Sequence, residues 1–161
     1  MKSKSEKIFA EIALAILLAT VGFADTAHAQ ANNNGTHNFG LGLMFGEPTG
    51  VTVKSWFDSR SAFDIGAAWS LSDRNEAVHL HADYLHHNWF NDNENLAFYF
   101  GVGARIIFSS NATAGIRVPL GLNYVFENAP FDLFVEAVPI IDISPDIEFA
   151  GNGGVGIRYY F

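Results

Sequence analysis

From Phe39 to Phe161 the apolar side chains recur at every second position, and this rhythm limits the fold more than anything else in the chain. A period of two puts alternate residues on opposite faces of an extended strand, whereas a helix repeats near 3.6. Eight segments carry the pattern: Asn38–Gly46, Val51–Phe57, Ala62–Leu71, Ala77–Trp89, Leu96–Phe108, Ala114–Phe126, Phe131–Ile143 and Asn152–Phe161. Polar, Gly- and Pro-containing stretches such as Glu47–Gly50, Asp58–Ser61 and Glu127–Pro130 separate them and read as turns. The 15 phenylalanines and 15 glycines favour strands over long helices.

The apolar faces can be assigned from aromatic and aliphatic residues alone, for example Leu96, Phe98, Phe100, Val102, Ala104, Ile106 and Phe108 in the fifth segment. Eight charged residues then fall on the other face: Lys54, Asp64, Asp83, Arg105, Arg117, Asp132, Glu136 and Arg158. Glycines such as Gly40, Gly42, Gly66, Gly103, Gly115 and Gly121 share that face. One face is therefore large and apolar, the other small and charged. The interior of an eight-stranded barrel is only wide enough for side chains to fill, so the small, charged face suits the inside. The apolar face then suits lipid, where an Arg at the bilayer midplane costs about 2–4 kcal/mol. Segments near ten residues match a tilted membrane-crossing strand of about 9–11 residues. The fold expected is all-β: an eight-stranded, antiparallel, up-and-down transmembrane β-barrel.

The first 29 residues read as a cleavable signal peptide. Lys2, Lys4 and Lys7 precede the uncharged run Ile12–Ala24, and Ala27-His28-Ala29 supplies small residues for cleavage. That run of 13 residues is short of the roughly 20 a spanning helix needs. Residues 30–37 (QANNNGTH) read as a flexible lead-in, and 38–161 as the barrel domain. Without the leader's three lysines and its Glu6, Glu11 and Asp25, six basic and fourteen acidic residues remain. No basic run offers nucleic acid a footing. With no cysteine, the chain has neither a disulfide nor a lipid-anchored Cys. The expected location is the outer membrane of a Gram-negative-type bacterium.

The closing run Val155, Ile157, Tyr159, Phe161 resembles the terminal strand by which barrel-assembly machinery recognises outer-membrane barrels. The layout as a whole resembles the small eight-stranded outer-membrane barrels, the OmpX-like proteins and the transmembrane domain of OmpA. Three stretches narrow this: GEPTGVTVKSWF (Gly46–Phe57), LHADYLHH (Leu80–His87) and RVPLGLNYVFENAPFDLFVEAVP (Arg117–Pro139) resemble an uncharacterised OmpX-like subgroup. The resemblance implies fold and location only, since that subgroup has no established activity to carry over; the partners expected are outer-membrane lipids and, during assembly, periplasmic chaperones and the assembly machinery, and the chain is expected to be a monomer.

The inward charges, four basic and four acidic, suggest ion pairs stacked along the axis, either filling the interior or lining a narrow ion path. Asp132 and Glu136 lie on one face, both within reach of an Arg from the sixth or eighth segment. His79, His81 and Asp83 share a face and are the metal candidates, set nearly in line along one strand. His86-His87 reads as an interfacial pair. The aromatics Trp56, Phe57, Trp69, Trp89, Phe90, Tyr124, Phe126, Phe131 and Tyr159 read as interface girdles. Some barrels of this kind are lipid A deacylases with a paired His and Ser at the membrane face. Here the serine-rich patch Ser109–Thr113 has no His, and no nucleophile–base pair is visible. No cofactor is expected. The outer connections Glu47–Gly50, Ser72–Glu76, Ser109–Thr113 and Ser144–Gly151 are short. The role expected is structural, in envelope integrity; the alternatives are a surface-binding or adhesion module using Ser144–Gly151 and a narrow channel. Pro119 and Pro139 each predict a bulge or strand end, and a bulge near Pro139 would switch the parity of the seventh segment, which is apolar on both faces. Clean alternation is also lost over Leu85–Phe90.

Overall fold

In a computed structural model the described residues are 38–47, 49–69, 77–109 and 112–161. The segments read as signal peptide and lead-in and the connection 72–76 lie outside them, as do Ser110 and Asn111 of the serine-rich patch.

Nine strands account for most of the described chain: β1 (Phe39–Glu47), β2 (Thr49–Trp56), β3 (Ser61–Trp69), β4 (Val78–Phe90), β5 (Asn93–Phe108), β6 (Thr113–Arg117), β7 (Leu120–Val125), β8 (Phe131–Ser144) and β9 (Glu148–Tyr160). All pairings are antiparallel, and apart from β6 and β7, which do not pair with each other, consecutive strands lie side by side. β1 also pairs with β9, so the sheet closes into a ring. Closure leaves no strand with a whole side unpaired, the arrangement that would otherwise expose a full edge of backbone groups.

β6 and β7 share one place in the ring. Both pair with β5 on one side and β8 on the other. The register runs from Gly103↔Arg117 to Phe100↔Leu120 without a shift, leaving only Val118 and Pro119 between the two strands. The ring thus has eight places, matching the eight segments read from sequence, and Pro119 ends a strand as expected.

Pro139 behaves differently. β8 runs straight through it, and Pro139↔Gly151 sits in an unbroken register with β9. Phe134, Val138, Ile140 and Asp142 are all buried, so parity does not switch. The reason is where the missing N–H points. Val118 N–H donates to the Pro139 carbonyl at 3.0 Å, so the polar groups of Pro139 face the β6–β7 interruption. The ladder to β9 does not need the missing donor. Two prolines share one local break, and the shift between Ala114 and Gly115 is the irregularity on this seam.

Alternation persists in β4 as well. Leu85 and His87 are buried, while His86 is turned outward beside Phe100, with ring centroids 5.7 Å apart. The apolar rhythm fades in the sequence because Leu85 lies inside. The outward face of the ring is apolar on every strand, with Leu43, Phe63, Ile65, Val102, Ile116, Val135 and Val155 among its exposed side chains.

Candidate functional site

The enclosed face is built from the inward residues of all strands, and its charges come together in three groups. The first lies toward the end that carries the β2–β3 and β7–β8 turns. Arg158 pairs with Asp64, and its Nη1 donates to Asp132 Oδ2 at 3.4 Å. Its guanidinium lies 3.8 Å from the Phe134 ring centroid, a cation–π contact made out of water. Thr52 Oγ1 donates to Asp64 Oδ1 at 2.6 Å, and Tyr160 OH to Asp132 Oδ2 at 2.7 Å. Lys54, fully buried, donates to Asn123 Oδ1 at 2.7 Å and lies 2.9 Å from His87 Nε2. Asp132 is 4.0 Å from its Nζ, and the Trp56 ring centroid 4.2 Å.

In the middle group, Arg117 Nε stands 3.0 Å from Asp83 Oδ1, close as an ion pair but not aligned as a hydrogen bond. Arg117 Nη2 reaches Glu136 Oε1 at 3.5 Å, and Tyr99 OH donates to Glu136 Oε2 at 3.0 Å. The third group, toward the opposite end, is the bidentate pair of Arg105 with Asp142, at 3.0 and 2.5 Å. Charges this far from water persist when paired and hydrogen-bonded. Met44, Ala68, Leu85, Tyr99 and Phe134 form a buried apolar cluster on the same enclosed face.

A recurring arrangement makes these meetings fit. In each of three cases a glycine stands on the strand between the two partners, in register with both. Gly115 lies opposite Arg105 and Asp142, Gly103 opposite Asp83 and Arg117, and Gly121 opposite Tyr99 and Glu136. A Cβ at any of them would collide with one partner: Asp142 Oδ1, Asp83 Oδ1 and the Tyr99 phenol respectively. The missing side chain is the space in which a long side chain reaches across two strand spacings. Asp64 and Asp83 are direct cross-strand neighbours, an unfavourable like-charge placement. Each is drawn to a different arginine, Asp64 to Arg158 and Asp83 to Arg117.

All eight charges read from sequence lie on the enclosed face, seven of them buried and Glu136 half-buried. Asp132 and Glu136 meet different arginines, Arg158 and Arg117. Asp142, His87, Tyr99, Asn123 and Tyr160 were not anticipated there. Carrying the parity of Asp132 and Glu136 through Pro139 would have found Asp142; carrying that of Asp83 through Leu85 would have found His87. The histidine pair is split, His87 inside and His86 outside. Trp56 and Trp89 leave the girdle reading too: they share the inward parity of Lys54 and His87 and stack at 6.1 Å near that end of the interior. Phe57, Trp69, Phe90, Phe126 and Tyr159 are exposed on the outside. His79, His81 and Asp83 are strung along β4, and among the described residues no three His, Cys, Asp or Glu converge as a metal set. Val155, Ile157, Tyr159 and Phe161 all face outward. In the eighth segment the strand begins earlier than expected: Glu148–Gly151 belong to β9, and only Pro145–Ile147 connect it to β8.

Fold and interior define an all-β protein, a ring of antiparallel strands closed around paired charges. The chain belongs to DUF3996, a family of proteins of unknown function, whose model matches residues 30–159. No curated protein and no solved structure matches it.

Proposed function

We propose that the ring is an eight-stranded transmembrane β-barrel of a Gram-negative-type outer membrane, exported by the leader 1–29 and acting as a structural protein of the envelope. The observation that carries this reading is the sorting of the two faces: apolar side chains exposed on the outside of every strand but β2, whose outward valines are half-buried, and arginines, a lysine and carboxylates paired inside. In water so large an exposed apolar surface is an aggregation hazard, and in lipid it is required. The interior is a plug of interlocked side chains with no role for catalysis. Its partners are outer-membrane lipids and, during assembly, periplasmic chaperones and the barrel-insertion machinery. As a monomer with a filled interior it stiffens a patch of membrane and passes no solute.

Cell fractionation with a gel-shift assay tests the location. The protein is expected in the outer-membrane fraction and, unboiled, to migrate differently from the boiled form on a denaturing gel. Recovery from the soluble periplasm overturns the reading. In planar bilayers the purified protein is expected to give no steady conductance; reproducible single-channel steps would replace the plug with a pore.

A further inference from the structure

At one end of the ring β9 outruns its neighbour β1. β9 pairs with β1 only up to Gly153↔Glu47, yet it pairs with β8 from Tyr159 to Glu148 without a shift. Glu148–Asn152 therefore have a strand on one side alone among the described residues. The direction of their backbone groups follows from the ladder. Tyr160 N–H donates to Pro130, toward β8, and Phe161 N–H donates to Phe39, toward β1. With no register shift, odd-numbered residues of β9 turn their N–H and C=O toward β1. At Phe149 and Gly151 the chain of β1 has already turned away. Among the described residues their polar groups point out along a sheet edge with no partner strand, the feature that invites strand addition.

The surroundings fit an incoming strand of particular chemistry. Phe149 and Ile147 are 85% and 76% exposed, so an apolar surface flanks the edge. A Cβ on Gly151 would meet nothing nearer than 4.0 Å, so the space above it is open. Glu47, Asp146 and Glu148 are exposed at this end. Among the described basic residues only Arg60 is exposed, and it lies in the β2–β3 turn at the other end. The described exposed charges at this end are all negative and attract cationic partners.

We propose that the free edge of β9 at Phe149–Gly151 is a docking site for an extended cationic peptide segment, which adds as a strand in the place β1 vacates. Main-chain hydrogen bonds to Phe149 and Gly151 hold it. Its apolar side chains lie against Phe149 and over Gly151, and its lysines or arginines meet Glu47, Asp146 and Glu148. This inference rests on strand pairing and charge, and does not depend on the structural role proposed above.

The test uses the full chain in detergent micelles and a labelled, end-blocked hexapeptide of alternating lysine and valine. A second probe carries the same sequence with alternate backbone nitrogens methylated, so that it keeps its charge but cannot extend a sheet. The expected result is saturable binding of the first probe with new amide protection at Phe149 and Gly151, and no binding of the second. Gly151→Pro removes the outward N–H and leaves the β8 ladder, which uses even-numbered residues, untouched. It is expected to weaken binding about tenfold, as loss of a hydrogen bond does. Equal binding of both probes overturns the proposal in favour of charge alone, and absence of binding overturns it outright. Protection of Phe149 and Gly151 that rises with protein concentration, without peptide, overturns it in favour of a second copy. The methylated probe decides even if Gly151→Pro fails to fold.

Discussion

Arg105 and Asp142 meet in a bidentate pair across Gly115, which stands in register with both. Neither is more than marginally exposed. Removing one partner leaves the other charged and buried, which typically costs about 3–5 kcal/mol, whereas replacing both with apolar residues of similar size is often neutral. Asp142→Ala is therefore expected to destabilise strongly and Arg105→Met/Asp142→Leu to recover most of the loss. Urea unfolding of the four variants as a double-mutant cycle checks this; additive losses would remove the pair from the account of stability.

The glycine between Asp83 and Arg117 gives a second prediction. Gly103→Val places methyl groups where Asp83 Oδ1 and the β4 backbone already lie. Overpacking of this kind costs about 1–3 kcal/mol. The same change at Gly151, where the Cβ site is open, is expected to fall within about 0.5 kcal/mol. Unfolding midpoints of the two variants should separate clearly, and equal midpoints would refute the spacing argument.

Val102 faces outward, 55% exposed, opposite Tyr84 and well away from the ends of β5. If that face meets lipid, Val102→Arg costs about 2–4 kcal/mol. If it meets water, the cost of a surface substitution is within about 0.5 kcal/mol. Unfolding measured from lipid bilayers distinguishes the two, and the larger value is expected.

Asp58 organises the β2–β3 turn. Its Oδ1 accepts from the N–H of Arg60 and of Ser61, each at 2.7 Å. The Arg60 N–H, the strongest influence, holds the carboxyl below its ordinary value of 3.8. A depressed folded value means that the turn is stabilised above the unfolded value and loses that support as pH falls through the folded one. Amide protection of Arg60 and Ser61 is expected to hold down to about pH 4 and to decline below it. Asp58→Asn, which keeps an acceptor that does not titrate, should remove the dependence. Protection in the parent that is flat from pH 5 to 2 would contradict the assignment.

Much of the ring could be read from the chain. Strand identity, the sorting of Lys54, Asp64, Asp83, Arg105, Arg117, Asp132, Glu136 and Arg158 onto one face, and the strand end at Pro119 all follow from local chemistry: side chains alternate along a strand, and proline lacks a donor. The misread places share a cause. Leu85, Phe134, Val138 and Ile140 are apolar yet face inward, so the hydrophobic rhythm faded where the geometric one continued. That uncertainty hid Asp142 and left His86 and His87 read as one interfacial pair, where the strand turns them to opposite faces.

Partner choice was of another kind. That Arg105 takes Asp142, that Arg158 rather than Arg117 takes Asp132, and that Tyr99 reaches over Gly121 to Glu136 depend on which strands lie side by side and in what register. Likewise Phe149 and Gly151 lie beyond the pairing with β1 because β1 turns at Glu47 while β9 continues along β8. Period-two patterning decided the faces, since alternation is a property of one strand alone. Pairing and edges were decided only when the ring closed, because a hydrogen-bonded ladder joins residues far apart in the chain and no local pattern records the register between them.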